Sequence, residues 1–476
     1  MRPTLIIGGV LGALAVIVFG AWFLLPNLVH DLWGIFRATW VVFVPVIVVG
    51  AIGAFLIFAE RGIGWLLAVA AGAWLICGGF VVSYMQGHEL SKSVTVSESS
   101  PNELQFRERA PFDVAVATSK RTLGNTTGDA TGTVKAIPTA GDNGEFTTSV
   151  VRRGAFKGYE STQVLTPPLF GGSSSKDVRF CSFSEDAELR FGGAGFNNNL
   201  DRAIALKVPL GTNANKSDAF VVCDGETPKV YAPLTVQKGF AITKRVPAGV
   251  AVYNGKTGEL TVEKDYKGNL PVYPASITEA QRKSTTDAGS FFDSLFGRVG
   301  FEDTGKDEDD PNDENRAEFG LSNLDGTQHK FVTPLNSRGS SSSIIALGVG
   351  NGSTVKHGEL NEYTVYKYPQ DEPRQANSAV AASITGEVLG GYKAQGLKVF
   401  EIVPAGDGKW VASIGKSQSI LYRAVIDEAG TITLTDEAGD GEGESASADA
   451  GKPLSEMSVE ELQELGSHVL RELGDR

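Results

Sequence analysis

Two cysteines of the chain, Cys181 and Cys223, lie in β-patterned segments that read DVRFCSFS and DAFVVCDG. The third, Cys77, lies inside an apolar stretch, where a thiol is simply a small apolar group. A cysteine pair in two strands predicts a disulfide between Cys181 and Cys223 in an oxidising compartment. Two buried reduced thiols are the alternative.

A basic and aromatic cluster occurs in the segment VVRRGAFKGYE. Its candidate ligand-binding residues are Arg152, Arg153, Phe156, Lys157 and Tyr159. Such a patch could hold an acidic polymer, phosphate groups or sugar faces. The solvated face of a strand pair is the favoured interpretation, and ligand binding is the alternative.

An acidic run, EDTGKDEDDPNDEN, supplies closely spaced oxygen ligands of the kind that calcium binds. The metal candidates are Asp307, Asp309, Asp310, Asn312, Asp313 and Glu314. The run lacks the glycine and the terminal glutamate of an EF-hand loop, and Pro311 interrupts it. A solvated charge run is therefore the favoured interpretation. The histidines are isolated from one another along the chain, which argues against a zinc site.

No motif for catalysis or for nucleotide binding occurs in the sequence. It contains no G-x-S-x-G, and the serine tracts have no neighbouring base that would activate a hydroxyl. Gly249 and the Gly255-Lys256-Thr257 triplet have the wrong spacing for a phosphate loop. A formal net charge of −13 argues against nucleic acid as a partner. The sequence predicts no cofactor.

These residues must be positioned by a chain that begins with three apolar stretches, 3–25, 38–59 and 62–85. Each is long enough to cross a hydrocarbon core of roughly 30 Å as a helix. A retained first helix is favoured over a cleaved signal peptide. No charged residue lies deep in any stretch, which argues against a channel or transporter. The lipid bilayer is thus a predicted partner.

Charge bias predicts the orientation of these spans. Arg2, the amino terminus and Arg61 lie on one side, and Arg37 and Lys92 lie on the other. This bias predicts the cytoplasmic membrane as the location, with the amino terminus inside and the large region extracytoplasmic. Aromatic residues mark the expected membrane interfaces: Trp22, Trp33, Trp40 and Tyr84 on the outer side and Trp65 on the inner side.

The region after the spans shows four short similarities in the same order, which predict a duplication. The pairs are GEFTTS and AEFGLS, TQVLTPPLFGGSSS and TQHKFVTPLNSRGSSSS, VPAG twice, and AVYNGKTGELTVEK and AVIDEAGTITLTDE. Two unrelated β segments that share turn chemistry are the alternative. Short apolar segments broken by Gly, Asn, Asp and Pro indicate sandwich-like or barrel-like domains. The segment around Asn254-Gly255 predicts a hairpin.

The fold class that follows is a membrane-anchored, mainly β protein with three transmembrane helices, two tandem β domains and a C-terminal amphipathic helix. The predicted domains are an anchor (1–91), a stalk or leading β segment (92–143), a first β domain (144–265), a linker (266–316), a second β domain (317–437), an acidic linker (438–453) and a docking helix (454–476). The segment FDVAVA is predicted as a strand, and SITEAQRKST as a helix that Ser276 and Glu279 cap.

The C-terminal helix presents one apolar face for docking on a partner or on its own domain. Its residues are Val459, Leu462, Leu465, Val469 and Leu473. The leading functional hypothesis is a non-catalytic binding or scaffolding module of a bacterial-type cell envelope, with a protein partner or a second copy of the chain. An envelope hydrolase or transferase with dispersed catalytic residues, and an auxiliary subunit of a membrane complex, are the alternatives.

Overall fold

The computed structural model describes residues 20, 22–59, 61–123, 128–131, 134–139, 144–170, 178–194, 198–303, 319–338, 343–369, 374–389, 396–416 and 419–436. Helices α1 (Pro26–Phe58) and α2 (Ile63–Ser91) pack together as a hairpin. Gly53 and Gly64 let their backbones approach, because a Cβ atom on Gly64 would lie 2.7 Å from the Gly53 carbonyl oxygen. Both helices are long and apolar enough to cross a membrane, as predicted for the second and third stretches.

Helix α1 begins earlier than the predicted second span, which starts at residue 38. Pro26 fits the first helical position because it has no amide hydrogen to satisfy there. His30, on the inner side of this early segment, is buried, and its Nδ1 lies 2.8 Å from the carbonyl oxygen of Thr212. The predicted first span lies outside the described residues, except for positions 20 and 22–25.

The segment that follows the helices was predicted as a stalk or leading β segment. It forms β1 (Val94–Ser97), a 3₁₀ turn (Pro101–Glu103) and α3 (Phe112–Arg121). The strand prediction for FDVAVA is wrong, because this segment lies in α3. The helix is buried on two sides, with Phe112 against Phe146 and Val114 against Phe400. A helix without an apolar and a polar side shows no clear 3.6-residue period in its sequence.

The first sheet and the second sheet follow in the chain. The first sheet contains β2 (Asp129–Ala130), β3 (Lys135–Ile137), β4 (Glu145–Val151), β5 (Tyr159–Leu165) and β6 (Arg179–Ser182), with the order β2-β4-β5-β6 and β3 also beside β4. Helix α4 (Leu200–Lys207) then precedes the second sheet, which contains β7 (Thr212–Ala214), β8 (Phe220–Asp224), β9 (Thr227–Gly239), β10 (Thr243–Asn254) and β11 (Leu260–Glu263). The order is β11-β10-β9-β7, with β8 also beside β9. The predicted hairpin is confirmed as β10 and β11, with Tyr253 opposite Leu260.

The linker between the predicted domains contains α5 (Ala275–Ser284), a 3₁₀ turn (Thr285–Asp287), α6 (Phe291–Leu295) and β12 (Phe301–Asp303). The helix predicted for SITEAQRKST is confirmed as α5, but its predicted capping box is wrong. Pro274 is the N-cap residue, so Ser276 lies inside the helix. The Ser276 hydroxyl and amide instead donate to the Asp218 carboxylate at 2.6 and 3.2 Å. A carboxylate from the turn between β7 and β8 thus replaces the local cap.

The third sheet combines β1 and β12 with β13 (Phe319–Ser322), β14 (His329–Ser337), β16 (Ala346–Asn351) and β17 (Tyr363–Lys367). Strands β15 (Ser343–Ile344) and β18 (Arg374–Gln375) pair separately. Helix α7 (Asn377–Ser383) continues into a π turn (Ile384–Val388) and precedes the fourth sheet, which is β19 (Lys398–Gly406), β20 (Lys409–Lys416), β21 (Ser419–Ile426) and β22 (Ile432–Asp436) in sequential order. β1 pairs with β17 in parallel, which ties the residues after α2 to the third sheet.

The element order of the first predicted domain recurs in the second: a sheet of mainly antiparallel strands, a short helix, and an antiparallel sheet that this helix packs against. Three of the four sequence similarities fall on strands in equivalent places, on β4 and β13, β5 and β14, and the β10–β11 and β21–β22 hairpins. The VPAG similarity does not, because one copy lies in β10 and the other in β19. Both copies form β-bulges, where register shifts between Pro247 and Gly249 and between Pro404 and Gly406. The VPAG match therefore reflects shared local geometry, and the duplication stays a prediction.

Candidate functional site

A disulfide joins the first and second sheets. Cys181 lies in β6 and Cys223 in β8, and their Sγ atoms are bonded at 1.99 Å, as the sequence predicts. Thr162 lies opposite Cys181 in the first sheet, and its carbonyl oxygen is 3.8 Å from the Cys223 Sγ. The crosslink thus fixes the distance between the facing strands of two separate sheets.

Beside this crosslink, a cleft of about 350 Å³ lies between β4 of the first sheet and β8 and β9 of the second. Its lining residues are Thr131, Val134, Lys135, Thr147, Thr148, Ser149, Val151, Tyr159, Arg190, Phe191, Gly192, Lys216, Ser217, Ala219, Phe220, Val221 and Val230. The lining combines cationic side chains and hydroxyl groups with an apolar floor. No Asp, Glu, His or Cys occurs among these lining residues, all of which the structure describes.

The cations of the cleft come from three different segments. Lys135 is in β3, Arg190 precedes α4, and Lys216 lies in the turn before β8. The Arg190 Nη2 donates to the Gly154 carbonyl oxygen at 3.2 Å, which leaves its buried Nε without a hydrogen-bond acceptor in the described part of the chain. Lys216 is exposed at the mouth of the cleft. An anion in the cleft would meet positive charge from several directions.

The hydroxyl groups of the cleft lie mainly on β4 and on the segment beside it. The hydroxyl of Ser149 donates to the Thr131 Oγ1 at 3.2 Å, and the Thr131 and Thr148 hydroxyl oxygens are 3.4 Å apart. Thr147 is 1% exposed, and its buried hydroxyl has no hydrogen-bond partner among the residues described. A buried polar group without a partner costs stability.

Tyr159 and Asp201 show how burial affects the titrating groups around the cleft. The phenol oxygen of Tyr159 accepts a hydrogen bond from the Phe191 amide at 3.3 Å, and burial raises its pKa to about 12. Burial also raises the pKa of Asp201 in α4, against the smaller lowering effects of the Gly192 amide and Lys216. Tyr159 is consequently a neutral hydrogen-bonding group at neutral pH and not a base.

The predicted basic and aromatic patch does not form one surface. Of its five residues, only Tyr159 lines the cleft. Arg152 donates to the carbonyl oxygens of Phe183 and Glu185, and the exposed Arg153 pairs with Asp129 at 3.4 Å. The others, Phe156 and Lys157, are exposed in the loop that Arg190 holds through Gly154. The prediction of ligand binding at this patch remains untested.

The other sequence-predicted sites lie outside the described residues. These are the acidic run with Asp307, Asp309, Asp310, Asn312, Asp313 and Glu314, and the docking helix with Val459, Leu462, Leu465, Val469 and Leu473. Within the described ranges, no group of three or more His, Cys, Asp and Glu side chains could hold a metal ion. Cys77 is in α2 and is exposed.

A second cavity, of about 170 Å³, lies between α7 and the fourth sheet. Arg374 crosses it, with its Nη1 donating to the Asp427 carbonyl oxygen at 3.2 Å and its Cζ 6.0 Å from the Trp410 ring centroid. Asp427 and Glu428 also line this cavity. The lining of this cavity therefore carries charges of both signs, whereas the described lining of the cleft carries cations and no carboxylate.

Sequence reasoning missed Lys135, Arg190 and Lys216 because their positions along the chain share no spacing or motif. The signal that pointed toward the site was the cysteine pair, which crosslinks the two sheets that form the cleft. Comparisons with known proteins add no homologue from which a function could be transferred. No family model, no curated protein and no solved structure matches this chain.

Proposed function

We propose that this protein is a membrane-anchored, non-catalytic binding module whose cleft holds a small anionic ligand that bears hydroxyl groups. The observation that carries this proposal is the described lining of the cleft, in which Lys135, Arg190 and Lys216 occur with several hydroxyls and without a carboxylate. A sugar phosphate or a sugar carboxylate has this chemistry. The cations would contact the charged group, and the Ser and Thr hydroxyls would contact the sugar hydroxyls.

The absence of acid and base groups from the lining favours binding over catalysis. General acid–base catalysis needs a group whose pKa lies near the working pH. In the described lining, the only titrating groups are cations and Tyr159, whose pKa is raised to about 12. The cleft has the size of a site for a small molecule.

Calorimetric titration of the full-length protein in detergent micelles tests this function. Glucose 6-phosphate, glucuronate and uncharged glucose are suitable probes. Binding of the first two and not of glucose is expected, with at least a tenfold loss of affinity in Lys216→Ala, because one charged hydrogen bond is worth about 1.5–3 kcal/mol. Lys256→Ala is the matched control, since Lys256 is an exposed lysine of the β10–β11 turn that does not line the cleft. Equal affinity for glucose, or equal losses in both variants, would contradict the proposal.

The proposed location is the cytoplasmic membrane, with several spans, the amino terminus inside and the β region on the extracytoplasmic side of a bacterial-type envelope. The charge bias around the spans supports this orientation, and the Cys181–Cys223 disulfide fits an oxidising compartment. A membrane-impermeant protease added to spheroplasts should digest the region after Lys92. Protection until lysis would place the region in the cytosol.

The proposed origin of the two β domains is a duplication, supported by the recurring element order. The proposed protein contact is docking of residues 454–476 on a partner or on a second copy. Deleting these residues should release that partner on detergent extraction while leaving ligand binding in the cleft unchanged. Retention of the same partner by the truncated chain would exclude this role for the helix.

A further inference from the structure

Helix α1 contacts the tip of the β9–β10 hairpin near one end of its apolar segment. The Trp40 and Phe240 rings are 5.0 Å apart, and the Trp40 Nε1 donates to the Phe240 carbonyl oxygen at 3.0 Å. Arg37, one turn away, donates to the carbonyl oxygen of Gly239. The hairpin tip is thus held beside α1 at the level of Trp40.

Helix α2 holds a different part of the β region in the same way. The Tyr84 hydroxyl donates to the Gly289 carbonyl oxygen at 2.7 Å, and its ring lies 5.3 Å from the Phe291 ring at the start of α6. The His88 Nδ1 is 2.8 Å from the Asp287 carbonyl oxygen. Helix α6 is thus held beside α2 at the level of Tyr84.

These two levels coincide with the expected edge of the bilayer. A hydrocarbon core of roughly 30 Å takes about 20 helical residues. Counted from the turn at residues 59–62, this length ends near Trp40 on α1 and near Tyr84 on α2. The Gln86 Nε2 donates to the Ala38 carbonyl oxygen at 2.7 Å, so the two helices share this level. Trp and Tyr are the residues that favour such an interface.

Large apolar side chains of the β region are exposed at both places. Phe240 is 73% exposed at the hairpin tip, and Phe292, Leu295 and Phe296 are 63%, 57% and 64% exposed on and beside α6. A soluble surface rarely presents grouped aromatic side chains to water without a partner. Here the two helices determine the partner, because both groups lie where the lipid surface must begin.

Charged groups near the hairpin tip fit phospholipid headgroups. Arg245 is exposed and lines the groove beside α1, and Lys244 is half-buried near Glu89 at the end of α2. Glu89 pairs with Lys92, and Asp31 also lines the groove. Beside α6, Asp293 caps the helix and lies 4.0 Å from Arg298.

We propose that the β region docks on the bilayer surface through these two elements. Phe240, Phe292, Leu295 and Phe296 enter the boundary between headgroups and acyl chains, and Lys244 and Arg245 face phosphate groups. This docking rests on the proposed membrane location of the chain but not on the ligand or on the side of the membrane. It would orient the β region relative to the bilayer at two points besides the helices themselves.

Nitroxide labels on single cysteines of the full-length protein in phosphatidylcholine vesicles test the docking. Phe240→Cys and Phe292→Cys, each combined with Cys77→Ser, carry the label. Leu324→Cys, also combined with Cys77→Ser, is the matched control, because Leu324 is an apolar residue that is 53% exposed in the β13–β14 turn. The measured quantity is the rate at which the nitroxide collides with oxygen, divided by its collision rate with a water-soluble nickel complex. This ratio is expected to be several-fold higher at 240 and 292 than at 324.

Adding phosphatidylglycerol to the vesicles should move the label at 240 deeper into the membrane, because Lys244 and Arg245 face phosphate groups. The variant Lys244→Ala/Arg245→Ala should abolish this increase in depth. Labels at 240 and 292 that are as accessible to nickel as the label at 324 would overturn the docking. The same labelled proteins are titrated with glucose 6-phosphate. If glucose 6-phosphate binds but the labels at 240 and 292 do not lie in the membrane, only the docking is wrong. If these labels lie in the membrane but glucose 6-phosphate does not bind, only the proposed function is wrong.

Discussion

The buried ion pair between Arg109 and Glu401 connects parts of the chain that are distant in sequence. The Arg109 Nη1 and Glu401 Oε2 are 2.7 Å apart, and both side chains are 4% exposed. The guanidinium also donates to the Gly320 carbonyl oxygen at 2.9 Å and lies 4.4 Å above the Phe112 ring. It thereby links the segment before α3 to the third and fourth sheets.

Glu401→Gln should destabilise the β region by about 3 kcal/mol, because it leaves a buried guanidinium without a counter-charge. Breaking a buried pair costs about 3–5 kcal/mol, and the lower end is expected since the Gln carbonyl can still accept the hydrogen bond. Urea unfolding of the full chain in micelles, followed by circular dichroism, measures this loss. With an m-value of about 3 kcal/mol/M, the midpoint should fall by about 1 M.

Two comparisons make this prediction refutable. Glu279→Gln breaks the exposed pair between Glu279 and Lys283 in α5, and should cost less than about 0.5 kcal/mol. Arg109→Met/Glu401→Met removes both buried charges and should be much less destabilised than the sum of the two single variants. Equal costs for Glu401→Gln and Glu279→Gln, or additive losses in the double variant, would refute the reasoning.

Three further predictions concern other buried groups. Burial and nearby cations hold the pKa of His329 well below its usual 6.5, so the unfolded chain takes up a proton below pH 6.5 that the folded chain does not. The free energy of unfolding should then fall by up to about 1.4 kcal/mol per pH unit on acidification, and His329→Leu should remove that slope between pH 6.5 and 5 in a urea series. Because burial raises the pKa of Asp201, the folded protein disfavours its charged form, and this destabilisation appears as the pH rises through the folded pKa. Asp201→Asn should accordingly raise the urea midpoint at pH 7 and leave it unchanged at pH 3, and an equal gain at both pH values would assign the effect to packing. Removing the disulfide by Cys181→Ser/Cys223→Ser opens a loop with a sequence separation of 42 and should lower the free energy of unfolding by about 4 kcal/mol. Binding of glucose 6-phosphate should weaken as well, because the two facing sheets are then free to separate. An unchanged affinity would show that the sheets maintain the cleft without the disulfide.

The site was much less predictable than the strands around it. The alternation around Asn254-Gly255 was sufficient to predict the β10–β11 hairpin, since a hairpin is a local structure. Capping of α5 could not be foreseen, because Asp218 reaches it from elsewhere in the fold. The cleft depends on Lys135, Arg190 and Lys216, whose proximity results from the way in which two sheets face each other.

Local sequence patterns were sufficient to predict the two apolar helices, the predominance of strands and the identity of the bonded cysteines. Each of these follows from local composition or from the small number of pairings that the chain permits. The helical conformation of FDVAVA was not predictable in this way, because burial of the helix on two sides removes the 3.6-residue period that would reveal it. The structure also decided which cations share a cleft and which aromatic side chains lie beside Trp40 and Tyr84. Those relations depend on contacts between segments far apart in the chain, which short-range sequence patterns do not record.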